Sequence, residues 1–147
     1  PFAAFGLSVA REEAAGLGGT ELLDVRQTRP WELVLGFAGG SLLLSADPEN
    51  PAAYLTSRRP TGPPLSSFGG RSVRALRGRV LERLDQPEGD RTLVLDFGSG
   101  WRLYVEFIGP KANLRLVLDG VVEETARTGG PGAGEPYVPP GGAFARR

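Results

Sequence analysis

Alternation of apolar and polar residues predicts that most of this 147-residue chain forms short β-strands. Successive side chains of a strand point to opposite faces, and this period of two begins at Thr20. The alternation predicts a first strand that ends near Thr28, with Leu22 and Leu23 on opposite faces. Pro30 then interrupts the pattern, because proline lacks the N–H that a sheet ladder needs.

Three pairs of apolar runs joined by turn residues predict β-hairpins. They are residues 32–37 with 41–45, residues 92–97 with 101–107, and residues 114–118 with 121–125. Further strands are expected at 53–56 and 79–84, with helices at 1–17 and 72–76 and a turn or linker at Gly69–Gly70. Short strands linked by tight turns predict an α+β fold, an antiparallel β-sandwich flanked by helices.

The length and the composition predict one domain and a C-terminal tail. A chain of 147 residues is the size of a single ordinary domain. After Arg127 the sequence becomes rich in Gly and Pro, which contribute little to a packed core. We therefore expect a β-sandwich domain over residues 1–127, and an extended or disordered tail over residues 128–147.

The absence of three residue types removes most enzyme classes. The chain has no His, no Cys and no Met, which excludes Cys/His zinc sites, thiol nucleophiles, serine–histidine triads and disulfides. No apolar run approaches the ~18 residues of a transmembrane helix, and no signal peptide is visible. We expect a cytoplasmic, non-enzymatic protein without cofactor or metal and without a membrane partner.

An uneven distribution of arginine indicates a local basic surface. Lys plus Arg and Asp plus Glu are both 17, so the chain is neutral and any binding to nucleic acid needs a local patch. Residues 68–84 hold five arginines against one acid, and guanidinium groups bind phosphate oxygens in a bidentate manner. An ordinary solvated face is the alternative, since 16 of the 17 basic residues are Arg. The candidate phosphate contacts are Arg58, Arg59, Arg71, Arg74, Arg77 and Arg79.

Two further features are compatible with RNA binding. Asp90 and Arg91 are a neighbouring acid and base at the start of a predicted strand, and such a pair can bond a base edge and a phosphate. Trp31, Trp101 and Tyr104 are candidate platforms for unpaired bases, although Trp101 alternates with core positions.

Short motifs in a particular order carry a resemblance to a known family. They are Gln27, residues 42–46 and 54–56, the Pro-rich loop ending at Phe68, and residues 73–80, 85–87, 90–91, 105–109, 113–114 and 136–140. In their order and spacing, the chain resembles the N-terminal domain of the NFACT family. This domain is also called the FbpA, or fibronectin-binding protein A, N-terminal domain, and the resemblance spans nearly the whole chain.

The resemblance implies a fold and a function. The family domain is similar in fold to the N-terminal domain of formamidopyrimidine-DNA glycosylases. RqcH-like members bind stalled large ribosomal subunits, recruit tRNA (alanyl-tRNA in bacteria) and support C-terminal tailing of the nascent chain. By resemblance, Asp90 and Arg91 contact tRNA, and Glu106, Phe107 and Ile108 correspond to the family's Glu-hydrophobic-Met-Gly segment, with Ile108 in the Met position.

We therefore expect a non-enzymatic module that binds tRNA and the large ribosomal subunit in ribosome quality control. One alternative is a fibronectin-binding adhesin, which the family name suggests. A second alternative is a DNA-lesion enzyme that uses the amine of Pro1. Against this enzyme, Phe2 stands where the glycosylases have a glutamate, and a chain without Cys cannot form their zinc finger.

Overall fold

The structure, a computed structural model, describes residues 17–57, 66–86, 91–107 and 111–138. These ranges contain two antiparallel sheets and one helix, which confirms the antiparallel β-sandwich with helix. The predicted N-terminal helix lies outside the described residues except for Leu17, which is buried in the core. Pro1, on which the DNA-lesion alternative depends, also lies outside them.

The first sheet has four strands in chain order, each antiparallel to the next. They are β1 (Leu22–Arg29), β2 (Glu32–Phe37), β3 (Gly40–Ser45) and β4 (Ala52–Thr56). A tight turn at Gly39 joins β2 to β3, where Phe37 pairs with Gly40, as the hairpin pattern predicts.

The second sheet has five strands, also antiparallel and in chain order. They are β5 (Arg83–Asp85), β6 (Thr92–Asp96), β7 (Trp101–Glu106), β8 (Asn113–Leu118) and β9 (Val121–Thr125). This order confirms the other two predicted hairpins. The predicted strand over 79–84 is wrong in its first part, where Val80 makes only a single bridge to Glu21 and regular pairing starts at Arg83.

The helix α1 (Ser67–Leu76) connects the two sheets in sequence and contacts β1 and β9. Alternate side chains of both sheets enter a single hydrophobic core, to which α1 adds Phe68 and Leu76. Because burial of apolar area is the main stabilising term in folding, this shared core holds α1 in a fixed position across the sheets.

A β-bulge changes the faces predicted for β1. The register between β1 and β2 shifts between Leu22 and Asp24, which inserts one extra residue. Leu22 is therefore fully buried beside Val25, and Leu23 points outward and is 47% exposed. Strict alternation places Leu22 and Val25 on opposite faces of the strand, and that part of the prediction is wrong.

The predicted turn at Gly69–Gly70 is wrong, because both residues belong to α1. The side chain of Gln27 crosses from β1 to the start of the helix, where its Oε1 accepts bonds from the Ser66 amide (3.1 Å) and hydroxyl (2.9 Å). A Cβ on Gly69 would lie only 2.4 Å from that oxygen. Glycine is present here to allow a close approach within the helix.

The first part of the C-terminal tail is attached to the second sheet. The Val122 amide donates to the carbonyl of Glu135 (2.8 Å), and the Tyr137 amide donates to the carbonyl of Gly120 (2.8 Å). Val121 also forms an isolated bridge with Pro136. Residues 134–137 therefore pair with β9 and the turn before it, and residues 139–147 lie outside the described ranges.

Candidate functional site

The arginines predicted to form one basic surface have different surroundings in the structure. Arg71, on α1, forms an ion pair with Glu123 of the edge strand β9. This pair joins the helix to the second sheet across 52 positions of sequence. Its guanidinium group is already engaged by a carboxylate.

Arg79 lies just beyond the C-terminal end of α1, where it donates hydrogen bonds to carbonyls of the last helical turn. Its Nε donates to the carbonyl of Ala75 (2.7 Å), and its guanidinium carbon lies 5.7 Å from the ring centroid of Trp101. Its amide donates to the carbonyl of Leu76 (3.0 Å). A cation at this end also opposes the negative pole of the helix dipole. Arg79 therefore has a structural role.

Arg74 and Arg77 have exposed side chains, and neither forms an ion pair or a side-chain hydrogen bond with the described part of the chain. Because a helix advances by ~100° per residue, arginines three positions apart lie about 60° apart around its axis. Arg77 directly follows the last residue of α1 as its C-cap, so these two side chains project to neighbouring directions at the C-terminal end of α1.

A cleft lies beside these two arginines, between α1 and the start of β1. Its volume is about 600 Å³. Apart from the arginines, its lining consists of one carboxylate, two aliphatic side chains and a glycine: Glu21, Leu23, Val73 and Gly78. The cleft combines a net positive charge of 2 − 1 = +1 with an apolar wall.

The sequence pattern does not predict this apolar wall. Leu23 reaches the cleft because of the β-bulge, which strand alternation cannot predict. Glu21 comes near α1 because the Gly78 amide donates to the carbonyl of Leu22 (2.8 Å), which ties the segment after the helix to β1. Neither contact leaves a pattern in the local sequence.

Arg91 lies at a different place from the arginines of α1. It is exposed, directly precedes β6, and its carbonyl accepts a bond from the Phe107 amide (2.9 Å). The structure therefore brings Arg91 beside the 106–107 segment. Three strand spacings separate β6 from β9, which is about 14 Å at ~4.8 Å per strand. Arg91 and the exposed arginines at the end of α1 are thus candidate residues on different elements of the fold.

Glu106 and Phe107 are interior residues in the structure. Phe107 is buried in the hydrophobic core. Glu106 is 2% exposed, and its Oε2 accepts bonds from Arg115 Nε (2.9 Å) and from the Tyr137 hydroxyl (2.8 Å). A buried carboxylate needs such partners, so neither side chain is presented to an external ligand in this conformation. The remaining predicted site residues, Arg58, Arg59, Asp90 and Ile108, lie outside the described residues.

Tyr137 was missed as a partner of Glu106 because it belongs to the predicted tail. Its ring stacks on Tyr104 with the centroids 4.0 Å apart. Burial, followed by the negative charge of Glu106 and the hydrogen bond to it, raises the pKa of the Tyr137 hydroxyl well above its ordinary value. The hydroxyl therefore remains a protonated donor to Glu106.

Within residues 17–57, 66–86, 91–107 and 111–138, no group of three or more acidic side chains could hold a metal ion. In the same ranges no helix has the length and apolar composition needed to cross a membrane.

Comparison with solved structures identifies the architecture. The N-terminal domain of fibronectin-binding protein PavA from Streptococcus pneumoniae matches 95% of this chain with a TM-score of 0.84 and 25% sequence identity. The chain is similar in fold to this domain. The N-terminal part of the fibronectin/fibrinogen-binding protein of Streptococcus suis matches 95% of the chain with a TM-score of 0.85 and 24% identity. The resemblance to the FbpA N-terminal domain is thereby supported at the level of fold.

A third solved structure, the fibrinogen-binding protein of Staphylococcus aureus, has a TM-score of 0.81 and 19% identity over 95% of this chain. The chain covers 62%, 61% and 56% of the S. pneumoniae, S. suis and S. aureus chains, respectively. No protein-family model matches the sequence. No curated protein matches it either.

Proposed function

We propose that this chain is a non-enzymatic RNA-binding module that contacts tRNA and the large ribosomal subunit in ribosome-associated quality control. One observation carries the proposal: Arg74 and Arg77 project from one side of α1, and both lack a partner in the described residues. An RNA phosphate would provide these guanidinium groups with acceptors of matching geometry. The resemblance to the NFACT family supplies the tRNA, the ribosomal subunit and the cytoplasmic location.

Because the net charge is zero, the proposal requires RNA to bind at a particular surface of the chain. The chain has as many acidic as basic residues, so no diffuse attraction draws it to RNA. Binding must depend on a few local contacts. Affinity falls as salt rises, and each phosphate contact that is lost should reduce the steepness of log affinity against log salt by about 1. Removal of both arginines should therefore reduce this steepness by about 2.

A tRNA titration of the purified chain tests the proposal at two salt concentrations, ~50 mM and ~200 mM. Arg74→Gln with Arg77→Gln is expected to weaken tRNA binding and flatten the salt dependence. Arg83→Gln is the matched control, because Arg83 is exposed on β5 of the second sheet and only 4.0 Å from the carboxylate of Asp96. Equal affinities of the double variant and the control would contradict the proposal.

The second candidate function is binding to fibronectin or fibrinogen. The observation that favours it is the set of similar structures, all of which are named for binding one or both of these proteins. Their names support this candidate more directly than they support RNA binding. Because a shared fold does not determine a ligand, binding has to be measured on this chain.

One competition experiment separates the two candidates. The chain is captured on immobilised fibronectin, and tRNA is added as the competitor in solution. Fibronectin binding that survives in Arg74→Gln with Arg77→Gln, together with no tRNA affinity in the unmodified chain, would support the second candidate. Binding to tRNA alone would support the first.

A further inference from the structure

We propose that the cleft between α1 and the start of β1 binds one unpaired nucleotide of an RNA strand. In this arrangement the phosphate lies on Arg74 and Arg77, and the base lies against Leu23. The inference rests on the proposed RNA-binding function and adds the part of the ligand that the cleft recognises.

The cationic side of the cleft suits a phosphate. Arg74 and Arg77 line it together, with Glu21 as its one carboxylate. The negative pole at the C-terminal end of a helix ordinarily disfavours an anion. Here Arg79 offsets that pole, because it donates to two carbonyls of the last turn. The charges of Arg74 and Arg77 therefore remain available for a ligand.

The apolar side of the cleft suits the face of a base. Leu23 is 47% exposed, which is unusual for a leucine on a strand whose neighbouring apolar residues are fully buried. The β-bulge directs it outward, and bulges commonly re-aim a side chain at a functional site. Val73 adds a second, half-buried aliphatic surface. Extruded bases are held between apolar or aromatic side chains in this manner.

The volume and the one carboxylate restrict the ligand further. The cleft has a volume of about 600 Å³ and is largely open to solvent, so a nucleotide bound there could continue into a longer strand. This is compatible with one nucleotide, whereas a duplex would meet the cleft only with its phosphates. The carboxylate of Glu21 can accept a hydrogen bond from an exocyclic amine, as carboxylates do from cytosine N4. Bases with an amino group should therefore bind more tightly than uracil.

The test is a titration of the whole chain, followed by NMR of the backbone amides, with three probes: adenosine 5′-monophosphate, uridine 5′-monophosphate and inorganic phosphate. The expected order of affinity is adenosine monophosphate, uridine monophosphate, then phosphate, with shifts at Leu23 and Gly78. Because contact with a base contributes measurably to binding, Leu23→Asn should weaken adenosine monophosphate binding about fivefold and leave phosphate binding unchanged. Leu55→Asn is the matched control, since Leu55 is 37% exposed on β4, outside the cleft.

Glu21→Gln provides a second variant on an exposed residue. It should reduce the preference for adenosine over uridine monophosphate and strengthen phosphate binding, because a negative charge is removed.

Equal affinity for all three probes would overturn the inference. An equal loss of adenosine monophosphate affinity in Leu23→Asn and Leu55→Asn would also overturn it. If tRNA binding depends on Arg74 and Arg77 while Leu23→Asn has no effect, the nucleotide cleft is refuted and the proposed function stands. If tRNA does not bind, the proposed function fails by itself. Displacement of the mononucleotide by an acidic peptide, with tighter peptide binding, would also overturn the inference.

Discussion

Replacement of Arg115 by Met should strongly destabilise the second sheet. Arg115 is 4% exposed and donates to Glu106 (2.9 Å), to the carbonyl of Gly129 (2.7 Å) and to the carbonyl of Pro131. Met preserves most of the side-chain length but removes every donor. Glu106 would then remain buried with the Tyr137 hydroxyl as its one hydrogen-bond partner among the described residues.

The expected magnitude follows from the buried charge. Loss of one partner of a buried ion pair typically costs about 3–5 kcal/mol, because the remaining charge is uncompensated. The two carbonyls of the tail would also lose their donor, so we expect a loss of about 4 kcal/mol in the free energy of unfolding. With a urea m-value of ~2 kcal/mol/M, the midpoint should fall by about 2 M.

Urea unfolding followed by tryptophan fluorescence and circular dichroism measures this loss. Arg102→Met is the matched control, because Arg102 is on the same sheet but is 46% exposed and 3.6 Å from its partner Asp96. An exposed pair of this kind contributes ~0–1 kcal/mol. Adding Glu106→Gln to Arg115→Met should restore part of the stability, since it neutralises the stranded charge. Equal costs for Arg115→Met and Arg102→Met would refute the reasoning.

Three further substitutions have expected outcomes. Gly69→Ala should lower the melting temperature, although helix propensity alone favours Ala by ~1 kcal/mol, because the new Cβ would lie 2.4 Å from Gln27 Oε1; a higher melting temperature would contradict this. Above pH ~10 Tyr137 ionises in the unfolded chain but stays protonated in the folded one, because its pKa is raised there. The free energy of unfolding should therefore fall with pH by ~1.4 kcal/mol per pH unit more in the unmodified chain than in Tyr137→Phe. Urea unfolding at pH 9–11 measures this, and the same pH dependence in both proteins would exclude the effect. Glu123→Gln should release Arg71 from its ion pair and increase tRNA affinity, whereas unchanged affinity in the tRNA titration would show that Arg71 does not reach the RNA.

The hairpins could be predicted from sequence because their determinants are local. Strand alternation and a turn of glycine, serine or aspartate lie within about a dozen residues of each other, and the pairing of Phe37 with Gly40 or of Leu118 with Val121 follows directly. The bulge at Leu23 has no such local sign. It arises where Leu22 must enter the core and the same strand must also direct Gln27 toward the start of α1. The face of Leu23 therefore depends on tertiary packing.

The roles of the arginines could not be predicted from their spacing for a related reason. Arg71, Arg74 and Arg77 are equivalent in sequence pattern, but only Arg71 has a carboxylate of β9 within reach. Arg79 differs from them because it lies three residues beyond the last residue of α1 and Trp101 lies beside it. The spacing of the arginines could not show which guanidinium groups the protein itself engages.

The composition of the C-terminal segment is compatible with two opposite structures, and a distant residue selects between them. Gly and Pro predict an extended or disordered tail, but glycine also permits backbone to approach a side chain closely. A Cβ on Gly130, which has a positive φ of 67°, would lie 2.6 Å from a terminal nitrogen of Arg115. The same backbone delivers the carbonyls of Gly129 and Pro131 to that guanidinium group. The segment after residue 127 therefore supplies hydrogen-bond partners to an ion pair that the sheet has buried, and these contacts extend at least to Tyr137.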